Sequence, residues 1–101
     1  MRPRQSPHAA DQGGIFIVLG DDGRHVLLGR AVEPDAAEVA TIGAKLAEAG
    51  RGGWVVRMRG DYWHRSRHVR LDLIQEAASS PTPFDQAEAA FQARRKGTLA
   101  P

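Results

Sequence analysis

Cysteine is absent from this chain of 101 residues. Its absence excludes a disulfide framework, a thiolate zinc site and a cysteine nucleophile. Long apolar runs are absent too: the longest strongly apolar run, 15–19, is far shorter than the ~20 residues of a membrane span. Arg2 and Arg4 are followed by polar residues instead of the apolar stretch of a signal peptide. We therefore expect a cytoplasmic location and no membrane partner.

The remaining composition is that of an average folded protein. Hydrophobic residues make up 42% of the chain and charged residues 26%, with a formal net charge of +2. This length suits one domain. Arginine outnumbers lysine by 12 to 2, and alanine is the most common residue, a bias typical of a high-GC bacterial genome. We expect a bacterial protein whose arginine content partly reflects codon usage.

The chain divides into three parts. Residues 1–14 are rich in proline, glycine and polar side chains, which predicts a disordered N-terminal arm. Residues 15–96 contain the periodic apolar patterns and are predicted to form a single domain. Residues 97–101 follow the last helical pattern and are predicted to be a disordered tail.

The first half of the domain has the pattern of two strands and a helix. The apolar run 15–19 is typical of a strand covered on both faces. An Asp-Gly pair within 20–24 favours a hairpin turn, and 26–32 would be the return strand. A capping box from Asp35 to Glu38 starts a helix, and Gly50 ends it.

The second half repeats this order. Alternation predicts strands at 54–59 and 69–74, followed by a linker at 79–83. A second helix is expected to begin with Asp85 as its cap and to end at Gly97. The predicted class is α+β: an antiparallel sheet of about four strands with two helices, in the order ββαββα, with both helices on one face.

Catalytic and metal-binding patterns are weak. His64 and His68 have the spacing of helical zinc ligands, but they lie in a predicted strand and loop among arginines. Asp61, His64 and Ser66 include the residue types of a hydrolytic triad, yet triads are usually assembled from distant segments. We expect no enzyme activity, no metal and no cofactor.

Charge is distributed unevenly along the chain. Residues 51–70 hold six arginines and one acid, whereas 21–48 hold six acids and three basic residues. Guanidinium groups match phosphates and base edges, and aromatic rings stack on bases. The candidate nucleic-acid contacts are Arg57, Arg59, Trp63, Arg65, Arg67 and Arg70.

Two functions remain after these exclusions. The first is a non-enzymatic binding domain that contacts DNA or RNA through the arginine-rich sheet face and loop at 51–70. The alternative is a protein-interaction or homo-oligomerisation module that pairs through a sheet edge. The two functions differ in their salt dependence. Binding to DNA or RNA should weaken steeply as salt rises, whereas an apolar sheet-edge dimer should change little.

Overall fold

The computed structural model describes residues 14–28, 32–60, 64 and 66–97. Its strands are β1 (Ile15–Gly20), β2 (His25–Leu27), β3 (Gly53–Arg59) and β4 (Arg70–Ala78). Its helices are α1 (Ala36–Glu48) and α2 (Phe84–Arg95). The chain order is therefore ββαββα, and the predicted α+β class is confirmed.

The four strands form one sheet in the spatial order β2-β1-β3-β4. Every neighbouring pair is antiparallel. β1 and β3 are central, while β2 and β4 are the edges within the described part of the chain. The centre of the sheet is buried because β1 and the first half of β3 are composed of apolar residues and glycine.

The helices cover opposite faces of the sheet, so the expectation that they share one face is wrong. On one face α2 contributes Ala87 and Phe91 to a core with Ile17, Leu19, Trp54, Val56, Met58, Val69 and Leu71. On the other face, Val39 of α1 packs with Phe16 and Val55. Because side chains alternate along a strand, the unbroken apolar run in β1 requires cover on both sides.

Helix α1 begins and ends as the sequence predicts. Asp35 accepts a hydrogen bond from the Glu38 backbone, and the Glu38 side chain accepts one from the Asp35 backbone. Gly50 follows the helix with a φ of 70°. Gly43 is buried in the middle of the helix, where a Cβ atom would overlap the carbonyl oxygen of Ala77. This glycine therefore sets how closely α1 approaches β4.

Strand β4 extends four residues beyond the predicted end at Ile74. Its last residues have low strand propensity, but pairing with β3 overrides that preference. The pairing shifts register twice, between Gly53 and Trp54 and between Val55 and Val56. These irregularities allow β4 to follow β3 over its whole length.

The predicted start of α2 is wrong. Pro83 is the N-terminal cap, without a side-chain hydrogen bond, and Asp85 lies in the first turn. Phe84 is the first residue of the helix, and its ring packs edge-on against Trp54, with centroids 5.4 Å apart. Gly97, with a φ of 75°, follows the C-terminus of the helix as predicted.

The return strand is shorter than the predicted 26–32, because β2 ends at Leu27. Part of that predicted strand, 29–31, lies outside the described residues, as do 1–13 and 98–101 of the predicted arm and tail. Gly14, the last residue of the predicted arm, is buried. Within the described ranges, no helix has both the length and the apolar character needed to cross a membrane.

Candidate nucleic-acid interface

The ends of β3 and β4 bring three of the predicted arginines together. Arg57 pairs with Asp72, and Arg59 pairs with Arg70, two residues further along the same antiparallel ladder. Residues two apart on a strand share a face. All four side chains therefore lie on the face that carries α1, opposite the core formed by Trp54, Val56 and Met58.

Asp72 is the common ion-pair partner of the three arginines. Its Oδ1 accepts a hydrogen bond from the Arg70 Nε at 2.9 Å. Its Oδ2 lies 3.4 Å from Nη1 of Arg59 and 3.7 Å from Nε of Arg57. We call these four residues, Arg57, Arg59, Arg70 and Asp72, the arginine cluster. Three guanidinium groups share one carboxylate, so the cluster carries two positive charges in excess.

The pKa of Asp72 reflects this surrounding charge. Partial burial by itself favours the neutral acid and raises the pKa. Hydrogen bonds from Arg70 and Arg59, together with their positive charges, outweigh burial and hold the pKa of Asp72 below its ordinary value. Asp72 is therefore ionised at neutral pH and remains the counter-charge of the cluster.

Exposure differs among the three arginines. The Arg70 side chain is 72% exposed, whereas Arg57 and Arg59 are 37% and 32% exposed. Their side chains run past Gly14, where a Cβ atom would lie about 3 Å from the Cγ atoms of both. Within the described residues, the buried Nε of Arg57 donates no hydrogen bond. Among the residues that the structure describes, this Nε therefore contacts Asp72 as an ion pair at 3.7 Å and not as a hydrogen bond.

Arg67 lies in the segment before β4, which α2 holds in place. Arg95 donates hydrogen bonds to the carbonyl oxygens of Arg67 and His64. The Gln92 side chain accepts from the Val69 amide at 3.3 Å and donates to the Val69 carbonyl at 2.6 Å. Both anchoring side chains are buried. The Arg67 side chain is exposed, and no described contact joins it to the arginine cluster.

Arg51 belongs to a separate ion-pair network at the other end of β3. Its Nε lies 3.2 Å from Asp21 and its Nη2 lies 2.6 Å from Asp22. Asp21 also accepts hydrogen bonds from the Gly52 amide and the Ser80 hydroxyl. The Gly52 amide is the main reason that the pKa of Asp21 lies below its ordinary value, with Arg51 and Ser80 adding to it against the effect of burial. Asp21 thus ties the β1–β2 hairpin to the loops that contain Gly52 and Ser80, and Arg51 is already neutralised by Asp21 and Asp22.

Two of the predicted contacts, Trp63 and Arg65, lie outside the described residues, as does Asp61 of the weak triad pattern. His64 and His68 are exposed. The described ranges contain no group of three or more histidine, aspartate or glutamate side chains that could hold a metal ion.

Sequence reasoning missed the residues that organise these arginines. Asp72 lies two positions beyond the basic segment 51–70, so a charge count over that segment omits it. Gln92 and Arg95 were part of an ordinary helical pattern, and their buried contacts depend on where α2 docks. Asp72 was the one available sign, because it follows Arg70 by two positions and a strand places such residues on the same face.

Fold and cluster together define a small α+β domain with a four-stranded antiparallel sheet, one helix on each face and an arginine-rich corner. No family model, curated protein or solved structure matches this chain.

Proposed function

We propose that this protein is a non-enzymatic binding domain that contacts the phosphate backbone of nucleic acid through the arginine cluster. The observation that carries the proposal is the convergence of Arg57, Arg59 and Arg70 on a single carboxylate. The absence of cysteine and the arginine- and alanine-rich composition support a bacterial cytoplasmic setting for this activity.

The chemistry of the cluster suits phosphate. Each guanidinium presents five N–H donors, and Asp72 has only two oxygens to share among three such groups. Phosphate oxygens would accept hydrogen bonds from the remaining exposed guanidinium donors. Because Arg57 and Arg59 are held by β3 and by their contact with Asp72, little side-chain freedom is lost when a phosphate binds.

One further exposed arginine adds positive charge near the start of β4. Arg67 is exposed in the segment that leads into this strand. We therefore propose that the bound backbone crosses the ends of β3 and β4.

The test is a titration of a labelled DNA duplex, followed by fluorescence anisotropy at several salt concentrations. Each phosphate neutralised contributes about −0.9 to the slope of log affinity against log salt. The double variant Arg57→Gln/Arg59→Gln should therefore bind more weakly and flatten that slope by nearly two units. A single-stranded RNA of equal length, run in parallel, tests whether RNA is the preferred partner.

A matched control removes the same charge elsewhere. Arg24→Gln/Lys45→Gln neutralises two exposed basic residues that lie outside the cluster. This variant should keep the wild-type slope to within about half a unit. Absence of wild-type binding at low salt, or an equal loss in the control, would overturn the proposal.

A second candidate function is association with another copy of this chain through β4. The nine-residue β4 is an edge of the described sheet, and Leu73 on it is 49% exposed. Unpaired strand edges can pair with another strand. Size-exclusion chromatography at low and high salt tests this: a dimer that Leu73→Lys dissociates would support it, and a monomer at all concentrations would exclude it.

A further inference from the structure

An apolar groove lies between α1 and the β1–β2 hairpin. It has a volume of about 370 Å³ and is lined along its floor and walls by Val18, Val26, Leu28, Ile42, Leu46 and Ala49. Small-molecule sites are typically apolar clefts of roughly 300–1,000 Å³ with a few polar groups. The groove has the size and lining of such a site.

The groove exists because α1 does not cover its whole sheet face. The helix packs mainly against β4 and to a lesser extent against β3. The apolar stripe of α1 continues past that contact, so Ile42 and Leu46 are only half-buried. Val26 on β2 is 65% exposed. Apolar side chains of a helix and a strand thus face each other without filling the space between them.

The charged residues at the groove are basic. Arg24, Lys45 and Arg51 line it, and none of its lining residues is acidic. Arg24 and Arg51 pair with Asp22. Lys45 lies in the last turn of α1, and the ion pairs of the described part of the chain do not include it. The groove therefore combines an apolar interior with one uncompensated ammonium group.

We propose that this groove binds a small amphipathic anion, a carboxylate with an unbranched alkyl chain. The alkyl chain lies between Val26 and the Ile42–Leu46 side of α1, and the carboxylate pairs with Lys45. Apolar surface supplies most of the affinity, and the charge pair selects an anion over an uncharged or cationic chain. No lining residue belongs to the arginine cluster, so this inference does not depend on nucleic-acid binding.

The experiment is a titration with decanoate, below its micelle concentration, followed by amide chemical shifts of the isotope-labelled protein. Saturable shifts should be confined to residues of the groove. Lys45→Gln should weaken binding about two- to five-fold, the range of an exposed ion pair. Decanol should bind the wild type and Lys45→Gln equally, because it carries no charge to pair.

A matched pair of substitutions tests whether decanoate binds in the groove or elsewhere on the surface. Val26→Glu places a carboxylate in the groove and should weaken decanoate binding more than about ten-fold. Val32→Glu makes the same change at a residue that is 69% exposed and does not line the groove. This variant should therefore bind decanoate as tightly as the wild type. Equal effects of the two substitutions, or no saturable shifts, would overturn the proposal. Equal binding of decanoate by Lys45→Gln and the wild type would overturn the choice of an anion.

Discussion

Asp72 determines how the three neighbouring guanidinium groups are arranged. Without a counter-charge, Arg57, Arg59 and Arg70 would repel one another on adjacent strands. With it, their Nε and Nη atoms converge within 3.7 Å of one carboxylate. The same carboxylate also competes with any phosphate for these donors. Asp72 therefore stabilises the folded protein and, at the same time, weakens the binding of phosphate to the cluster.

Replacement of Asp72 tests its effect on stability and its effect on binding separately. In Asp72→Asn the cluster gains one unit of positive charge and loses its ion pairs. We expect the free energy of unfolding to fall by about 1 kcal/mol, since exposed ion pairs are each worth less than that. Affinity for a DNA duplex should rise, and the salt slope should steepen by up to about one unit. Urea unfolding and anisotropy measure the two effects. Weaker duplex binding by this variant would contradict the assigned role of the cluster.

Asp21 gives the fold a dependence on acidic pH. The folded pKa of Asp21 lies below the ordinary value of 3.8, mainly because the Gly52 amide donates to its carboxylate. A carboxyl with a lowered folded pKa stabilises the fold above its unfolded pKa, and this contribution disappears as pH falls through the folded pKa.

The corresponding variant is Asp21→Asn. It should lower the free energy of unfolding by about 1.5–3 kcal/mol at pH 7, the value of hydrogen bonds to a charged group. The difference from wild type should shrink as the pH is lowered below 3.8. Urea unfolding at a series of pH values measures this. Glu48→Gln, at an exposed site on α1, should change stability by no more than about 0.5 kcal/mol at any pH.

At the scale of elements, α1 shows how tertiary contact overrides helix propensity. Its capping box and terminal glycine follow local rules, and both are visible in the sequence. Gly43 breaks those rules, since glycine inside a helix costs about 1 kcal/mol relative to alanine. The buried approach of Gly43 to the Ala77 backbone explains why glycine lies there.

Gly43→Ala should therefore destabilise the protein, although helix propensity alone predicts a gain. The added methyl group meets backbone, which cannot move aside as a flexible side chain would. We expect a net loss of up to about 2 kcal/mol, since overpacking costs about 1–3 kcal/mol and the gain in helix propensity offsets about 1 kcal/mol of it. Thermal and urea unfolding measure it. The neighbouring exposed change Ala44→Gly should cost about 1 kcal/mol from propensity alone. A stabilised Gly43→Ala protein would show that α1 packs elsewhere.

At the scale of the whole molecule, the sheet is the middle layer of three. Each helix covers its own core, and β1 and β3 contribute to both. Small domains have little stability to spare. Removal of either helix would leave one complete apolar face in water, so the domain should fold only as a unit.

Truncation tests this dependence. A chain that ends after Thr82 lacks α2 and would expose Ile17, Leu19, Trp54, Val56 and Met58. We expect it to show no cooperative thermal transition and no near-ultraviolet circular dichroism from a fixed Trp54. A chain that ends after Gly97 keeps α2 and should retain the transition of the 101-residue chain. Cooperative unfolding of the shorter chain would show that α1 and the sheet suffice.

The sequence by itself determined the element order, the antiparallel α+β class and the boundaries of α1. These depend on apolar periodicity, turn residues and caps, all of which act over a few neighbouring positions. It also indicated that Arg57 and Arg59 share a face of β3, because they lie two positions apart in the strand. Only the tertiary structure decided the opposite placement of the helices, the extension of β4 and the start of α2. It alone joined Asp72 to three arginines and left the groove beside α1 open. These features depend on which strands pair and where each helix docks, and contacts between distant residues leave no local pattern in the chain.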